Sequence, residues 1–279
     1  MKNKVFKKWT TLITVFAVMV ALSSCETDKP LKTSIEDFQN PFDFVGIAHN
    51  DGLDYVINNF VLKESVAENE AQVIDLCNQF ISTKSDNELI FNESIDYIAF
   101  GKQLINEINT YEKTGKRAKA FPDGSVEESY LLQLKNSLLC GSYNDANDCF
   151  NSIMILEKEI WESNLLDEDK YLLLTVSSVG KHSWKYWTEN IDKIYPSNQF
   201  RKNPPNENLM ALVEADFDGS IAGAICGGIF GAIYGSVIFP GVGTITAAIA
   251  EGIHGGVMGA LVCSGIKGIR ILIEELKKE

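Results

Sequence analysis

Histidine is scarce in this chain: three in 279 residues, at His49, His182 and His254. So thin and scattered a set does not supply the clustered nitrogen ligands of a zinc or iron centre, so no metal is expected. No Gly-x-Ser-x-Gly elbow and no Gly-rich phosphate loop occurs either, which argues against acyl hydrolysis and nucleotide chemistry and leaves no candidate catalytic residue and no cofactor. Basic residues are few, 25 against 38 acids for a net charge of -13. Phosphate backbones need a concentrated basic surface, so nucleic acid is not an expected partner. Sustained apolar–polar alternation is missing, and with it the signature of exposed β-sheet. What remains, 45% hydrophobic and 23% charged residues, is the composition of a folded globular chain.

Apolar residues recur instead at helical spacing. Val66, Val73, Ile74, Cys77, Phe80 and Ile81 make one stripe; Ile95, Ile98, Ile105, Ile108 and Tyr111 make another. Val126, Tyr130, Leu131, Leu134 and Leu138 form a third, opened by Ser125 and Glu128 as a capping box. Cys149, Ile153, Leu156 and Ile160 continue the pattern, and Asp167-Glu168-Asp169 suits the positive end of a following helix. Punctuation at Thr83 to Asn87, Gly115 to Gly124 and Gly141 to Asn144 places the turns. The expected fold is all-α: a bundle of five or six helices over 42–195, a linker at 196–209 marked by Pro196, Pro204 and Pro205, and a Gly-rich helical hairpin over 210–279.

Within the bundle two local groups invite a functional reading. His49, Asp51 and Asp54 surround Gly52, where the aspartates are expected to cap a helix start. His182, Trp184 and Trp187 are the weak candidates for a small-ligand pocket, with packing at the bundle end as the plainer account. Cys140 and Cys149 flank a turn and are the candidate disulfide; the other thiols beyond Cys25 read as small hydrophobes.

The N-terminus has the layout of an export signal over residues 1–24: Lys2, Lys4, Lys7 and Lys8, then the 14-residue apolar run Trp9 to Leu22. Leu22-Ser23-Ser24-Cys25 resembles the lipobox of bacterial lipoprotein signals. The resemblance implies cleavage before Cys25, its acylation, and membrane lipid as a partner through the acyl chains, with residues 25–41 as a polar tether. Loss of four lysines leaves 21 basic against 38 acidic groups, a net of -17, so lipid rather than a basic patch must do the tethering. Glu26 replaces the aspartate that resembles an inner-membrane retention signal, which favours the outer membrane. The stretches Asn40 to Tyr55 and Ser177 to Trp187 look like recurring segments of uncharacterised Bacteroidota-type lipoproteins, a resemblance that implies cell-envelope localisation and no known activity.

The C-terminal region is the unusual one. Fourteen of 21 glycines fall in residues 219–268, and no charged residue occurs from Gly219 to Ala250. Gly219, Gly223, Gly227, Gly231 and Gly235 step by four; a second arm repeats small residues at Gly252, Gly256 and Gly268. Glycine inside a helix costs up to ~1 kcal/mol relative to alanine, so this spacing points to close backbone contact between two helices. The segment resembles the glycine-zipper hairpins of envelope proteins. Its 21 uncharged residues from Gly219 to Phe239, ~31 Å as helix, are long enough to cross a bilayer. The leading expectation is a non-catalytic, lipid-anchored envelope protein whose hairpin inserts in a membrane or joins copies of the chain. A bacteriocin-like, pore-forming antagonist and an envelope ligand binder or enzyme are the alternatives.

Overall fold

The computed structural model describes residues 38–84, 121–139, 146–194, 207–238 and 243–277. The signal, the lipobox, most of the tether, the Ile95–Tyr111 stripe and Cys140 lie outside the described residues. Seven helices and no strand occur among the described residues, the all-α architecture expected. They are α1 (Asp43–Asn59), α2 (Val66–Lys84), α3 (Val126–Leu139), α4 (Ala146–Glu162), α5 (Asp167–Ile194), α6 (Glu207–Ile238) and α7 (Gly243–Leu276).

Local chemistry sets the helix starts. Ser65 and Glu68 form a reciprocal capping box at α2: the Glu68 N–H donates to Ser65 Oγ at 3.2 Å, and the Ser65 N–H to Glu68 Oε2 at 3.3 Å. Ser125 accepts from the Glu128 N–H at 3.1 Å, as its spacing predicts, while the Glu128 carboxylate takes the Gly124 N–H. The aspartates near Gly52 do not cap. α1 begins at Asp43, so Asp51 and Asp54 sit inside the helix, and an Asx turn with Asn40 Oδ1 accepting from the Phe42 N–H at 2.8 Å introduces it.

α5 is the axle. It packs against α1, α3, α4, α6 and α7, and every residue from Leu173 to Lys181 is buried. A helix surrounded on all sides cannot show a clean apolar stripe, which is why its polar residues Ser177, Ser178 and Lys181 end up inside. α2 closes the other flank against α1 and α7.

Among the described residues the inner half of the α6–α7 hairpin packs into the core of the bundle, against α5, α1 and α2. Leu212, Val213, Phe217 and Ala224 of α6 are buried with Val257, Met258, Leu261 and Ile266 of α7. The proline-containing stretch 196–209 therefore precedes a return into the same core rather than an exit from it. Lys135 to Glu214 at 2.8 Å and Arg270 to Glu70 at 2.8 Å tie α3 to α6 and α7 to α2 near the surface.

Candidate functional site

Two polar clusters lie along α5, the first fully buried and the second reaching the surface at Asp43. The first centres on Asp216 of α6, which is fully buried. Its Oδ1 lies 3.0 Å from His49 Nε2 of α1; its Oδ2 accepts from Ser183 Oγ at 2.5 Å and from Trp187 Nε1 at 2.7 Å. His49 Nδ1 lies 3.1 Å from Asn50 Oδ1, so both ring nitrogens have oxygen partners. One carboxylate thus joins α1, α5 and α6. The second cluster centres on Lys181, whose Nζ lies 2.7 Å from Glu157 Oε2 and 2.6 Å from Asp43 Oδ1, with Phe150 5.0 Å away. Glu157 Oε1 accepts from Asn40 Nδ2 at 2.6 Å and Ser177 Oγ at 2.8 Å.

The electrostatics follow from depth. Burial pushes the Glu157 carboxyl above its ordinary range, with Lys181, Asn40 and Ser177 offsetting only part of that. At Asp43 burial acts the same way, but the polar contacts and charges of His182 and Lys181 outweigh it and hold that carboxyl below its ordinary value. Tyr186 is pushed up, first by burial and then by its 2.7 Å bond to Asp54. The Asp216 and Glu157 carboxylates are held by partners within the protein, whereas His182 Nε2 and Asp43 Oδ1 meet only as a 3.5 Å ion pair without hydrogen-bond geometry.

The chemistry is correspondingly closed. Ser183 donates to Asp216 and not to His49, so the Ser, His and Asp present do not make a nucleophilic relay. Among the described residues no group of three His, Cys, Asp or Glu side chains could hold a metal. His182, Trp184 and Trp187 do not line one pocket. Trp184 Nε1 donates to the Leu138 carbonyl at 3.0 Å, Trp187 turns to Asp216, and His182 lies on another side of α5, edge-on to Phe150. His182 and Trp184, two positions apart, diverge by about 200° around the helix, whereas Trp184 and Trp187, three apart, share a face. Cys149 is buried, and its expected partner Cys140 lies outside the described residues, as does any bridge between them. Nothing local announces the His49–Asp216 pair, 167 positions apart.

The glycine contact is the feature that the spacing does find. A Cβ built on Gly219 would stand 2.5 Å from the Gly259 carbonyl oxygen. One on Gly223 would overlap the Gly255 carbonyl, and one on Gly259 would overlap that of Gly219. Backbone therefore meets backbone between α6 and α7. The second arm is offset from the expected register, however: Gly255 and Gly259 make the closest approach. A Cβ on Gly256 would point between helices, 3.3 Å from Thr175 Cγ2 and 3.6 Å from the Ser220 carbonyl, and Gly268 lies half-buried farther along. Gly227, Gly231, Gly235 and Gly252 are helical, and their surroundings lie outside the described residues.

These contacts also fix direction. Asp216 meets Ser183 and Trp187, whereas Gly256 meets Thr175 of α5 and, in α6, the Ser220 carbonyl and Ala224, so α6 runs antiparallel to α5. Beyond Ala224, α6 continues for 14 residues to Ile238, and α7 has 12 before Gly255, all on the side where α5 begins. The stretch Gly255–Glu274 is apolar enough to cross a membrane by composition, yet it is 67% buried in the bundle, as a core helix is. No family model matches the chain, and neither a curated protein nor a solved structure matches it.

Proposed function

We propose that this is a lipid-anchored, non-catalytic protein of the cell envelope, held by acylated Cys25 and seated on its membrane by the outer half of the α6–α7 hairpin. The observation that carries the reading is how the hairpin is divided. Gly219, Ser220, Gly223 and Ala224 belong to the core of the bundle. The uncharged stretch left in α6, Ile225 to Ile238, is 14 residues, ~21 Å of helix. That falls short of the ~30 Å hydrocarbon core and exceeds one leaflet. A hairpin of this reach dips into the leaflet that also holds the acyl chains, and Glu251, just inside the second arm, stays near the headgroups.

A pore-forming role is less well supported, because two full crossings require the inner half of the hairpin to leave the bundle. That exit breaks the bonds of Asp216 to His49, Ser183 and Trp187. Carbonate extraction of membranes tests the reading. The native protein should resist extraction, and Cys25→Ala should pass to the supernatant, since a one-leaflet dip is too weak to hold alone. Cys25→Ala that still resists carbonate would show a hairpin that spans by itself and overturn the reading.

A further inference from the structure

We propose that Phe38, Phe42, Phe44, Trp161 and Tyr171 form an aromatic rim that lies at the headgroup level of a zwitterionic phospholipid leaflet and sets the orientation of the body. The inference rests on the lipid-anchored reading above and names the surface that meets the lipid.

The five rings come from three segments and meet at one end of the bundle. Phe38 lies 6.1 Å from Trp161, at the last turn of α4; Phe42 lies 5.2 Å from Tyr171, near the start of α5, and 6.4 Å from Phe44 of α1. The rim has an open edge: Phe44 is 43% and Trp161 42% exposed, Leu166, in the turn between α4 and α5, is 65% exposed, and Phe38, Phe42 and Tyr171 are half-buried behind them. Rings with an apolar body and a polar tip, such as Trp and Tyr, concentrate where hydrocarbon gives way to headgroups.

Two arguments identify the occupant. The first is where the chain outside the described residues arrives. Phe38 lies thirteen positions after Cys25, a reach of at most ~45 Å even when fully extended. An acylated Cys25 therefore holds Phe38, and the rim it belongs to, within that distance of the bilayer. The second is the direction of the hairpin. At the level of Thr175, α5 has eight residues left before its start at Asp167, ~12 Å, whereas α6 has the 14 residues from Ile225 to Ile238 still to run, ~21 Å. The uncharged arms thus extend past the end that carries the rim, as a hairpin entering lipid beside it must. Charge selects the lipid: next to the rim residues in the chain stand Glu159, Glu162, Asp167, Glu168 and Asp169 against Lys158 and Lys170, whose Nζ donates to the Trp161 carbonyl at 3.1 Å. This local excess of acids disfavours anionic headgroups.

The test uses the mature acylated chain reconstituted with phosphatidylcholine vesicles whose acyl chains are brominated, which quench only indoles in contact with them. Trp161 is the exposed tryptophan of the mature chain; Trp184 and Trp187 are buried. Protein that floats with the vesicles should lose emission relative to unbrominated lipid, and Trp161→Phe should abolish that loss. Flotation without quenching, or quenching unchanged in Trp161→Phe, overturns the rim and leaves the acyl anchor standing. Failure to float overturns the anchored reading and the rim with it. A Cys25→Ala chain that is dimeric in solution, and that Phe44→Glu makes monomeric, assigns the rim to contact between copies and also overturns the proposal.

Discussion

Gly223→Ala adds one methyl group to the tightest point of the α6–α7 contact, and the structure sets its consequence. The new Cβ overlaps the Gly255 carbonyl and comes within 2.9 Å of Gly259 Cα, and both are backbone atoms that cannot rotate away. The helices must part along a seam buried on both sides. Overpacking of a well-filled core costs about 1–3 kcal/mol, and more where backbone must move. Against that stands a gain of up to ~1 kcal/mol in helix propensity. The net is a loss of about 2 kcal/mol, or ~4–8 °C in Tm for a chain of this size. Gly256→Ala, in the facing helix α7 and equally buried, is the internal control. Its Cβ would meet Thr175 Cγ2 at 3.3 Å and nothing else under 3.6 Å, so a small side-chain shift accommodates it and the propensity gain survives. Urea titration of helical circular dichroism, with both variants in the Cys25→Ala chain, should place Gly223→Ala well below the parent and Gly256→Ala at or above it. The reverse order, or a Gly223→Ala chain as stable as its parent, refutes the backbone contact.

The buried clusters yield the other expectations. Glu157→Ala leaves Lys181 without its buried partner and should cost about 3–5 kcal/mol in the same titration, far more than truncation of an exposed pair such as Lys158 with Glu162. Trp187→Phe keeps most of the ring bulk and removes one donor to Asp216, so the urea midpoint should fall by the equivalent of about 1–3 kcal/mol. Asp43 gives a pH test. Its folded carboxyl is held below the ordinary 3.8, so the stability it contributes is present above 3.8 and is lost as pH falls through the folded value. Midpoints measured downward from pH ~5 should drop more steeply for the native chain than for Asp43→Asn, and parallel curves would contradict the assignment.

The helices were legible because their apolar residues recur at period 3.6 and their turns carry ordinary punctuation. Close α6–α7 contact was legible for a different reason: glycine at every fourth position is costly unless something replaces the missing side chains. The register of the second arm was not. α7 carries two interleaved small series, Gly252, Gly256 and Ala260 beside Gly255, Gly259 and Cys263, and either could face α6. The presence of α5 decides, because Thr175 occupies the side to which Gly256 turns. Pro196, Pro204 and Pro205 separate α5 from α6 along the chain but say nothing of where the next helix packs. The polar clusters were hidden because their members are far apart in the chain and α5 has no solvent face over Leu173 to Lys181 to set them off. Ser65 with Glu68 was available to a capping-box search, three residues apart ahead of the Val73 stripe.

The enclosure of α5 has a consequence for how the molecule is made. Asp216 receives His49 from the first helix of the bundle and Trp187 from the middle of the chain, and α7 closes over Thr175 last. A polypeptide delivered N-terminus first therefore cannot complete its interior until α6 and α7 have arrived. Until then Lys181, His49 and the apolar face of α1 wait half-clothed. Such non-local closure is slow, and it makes the nascent protein a client for whatever holds unfinished chains apart.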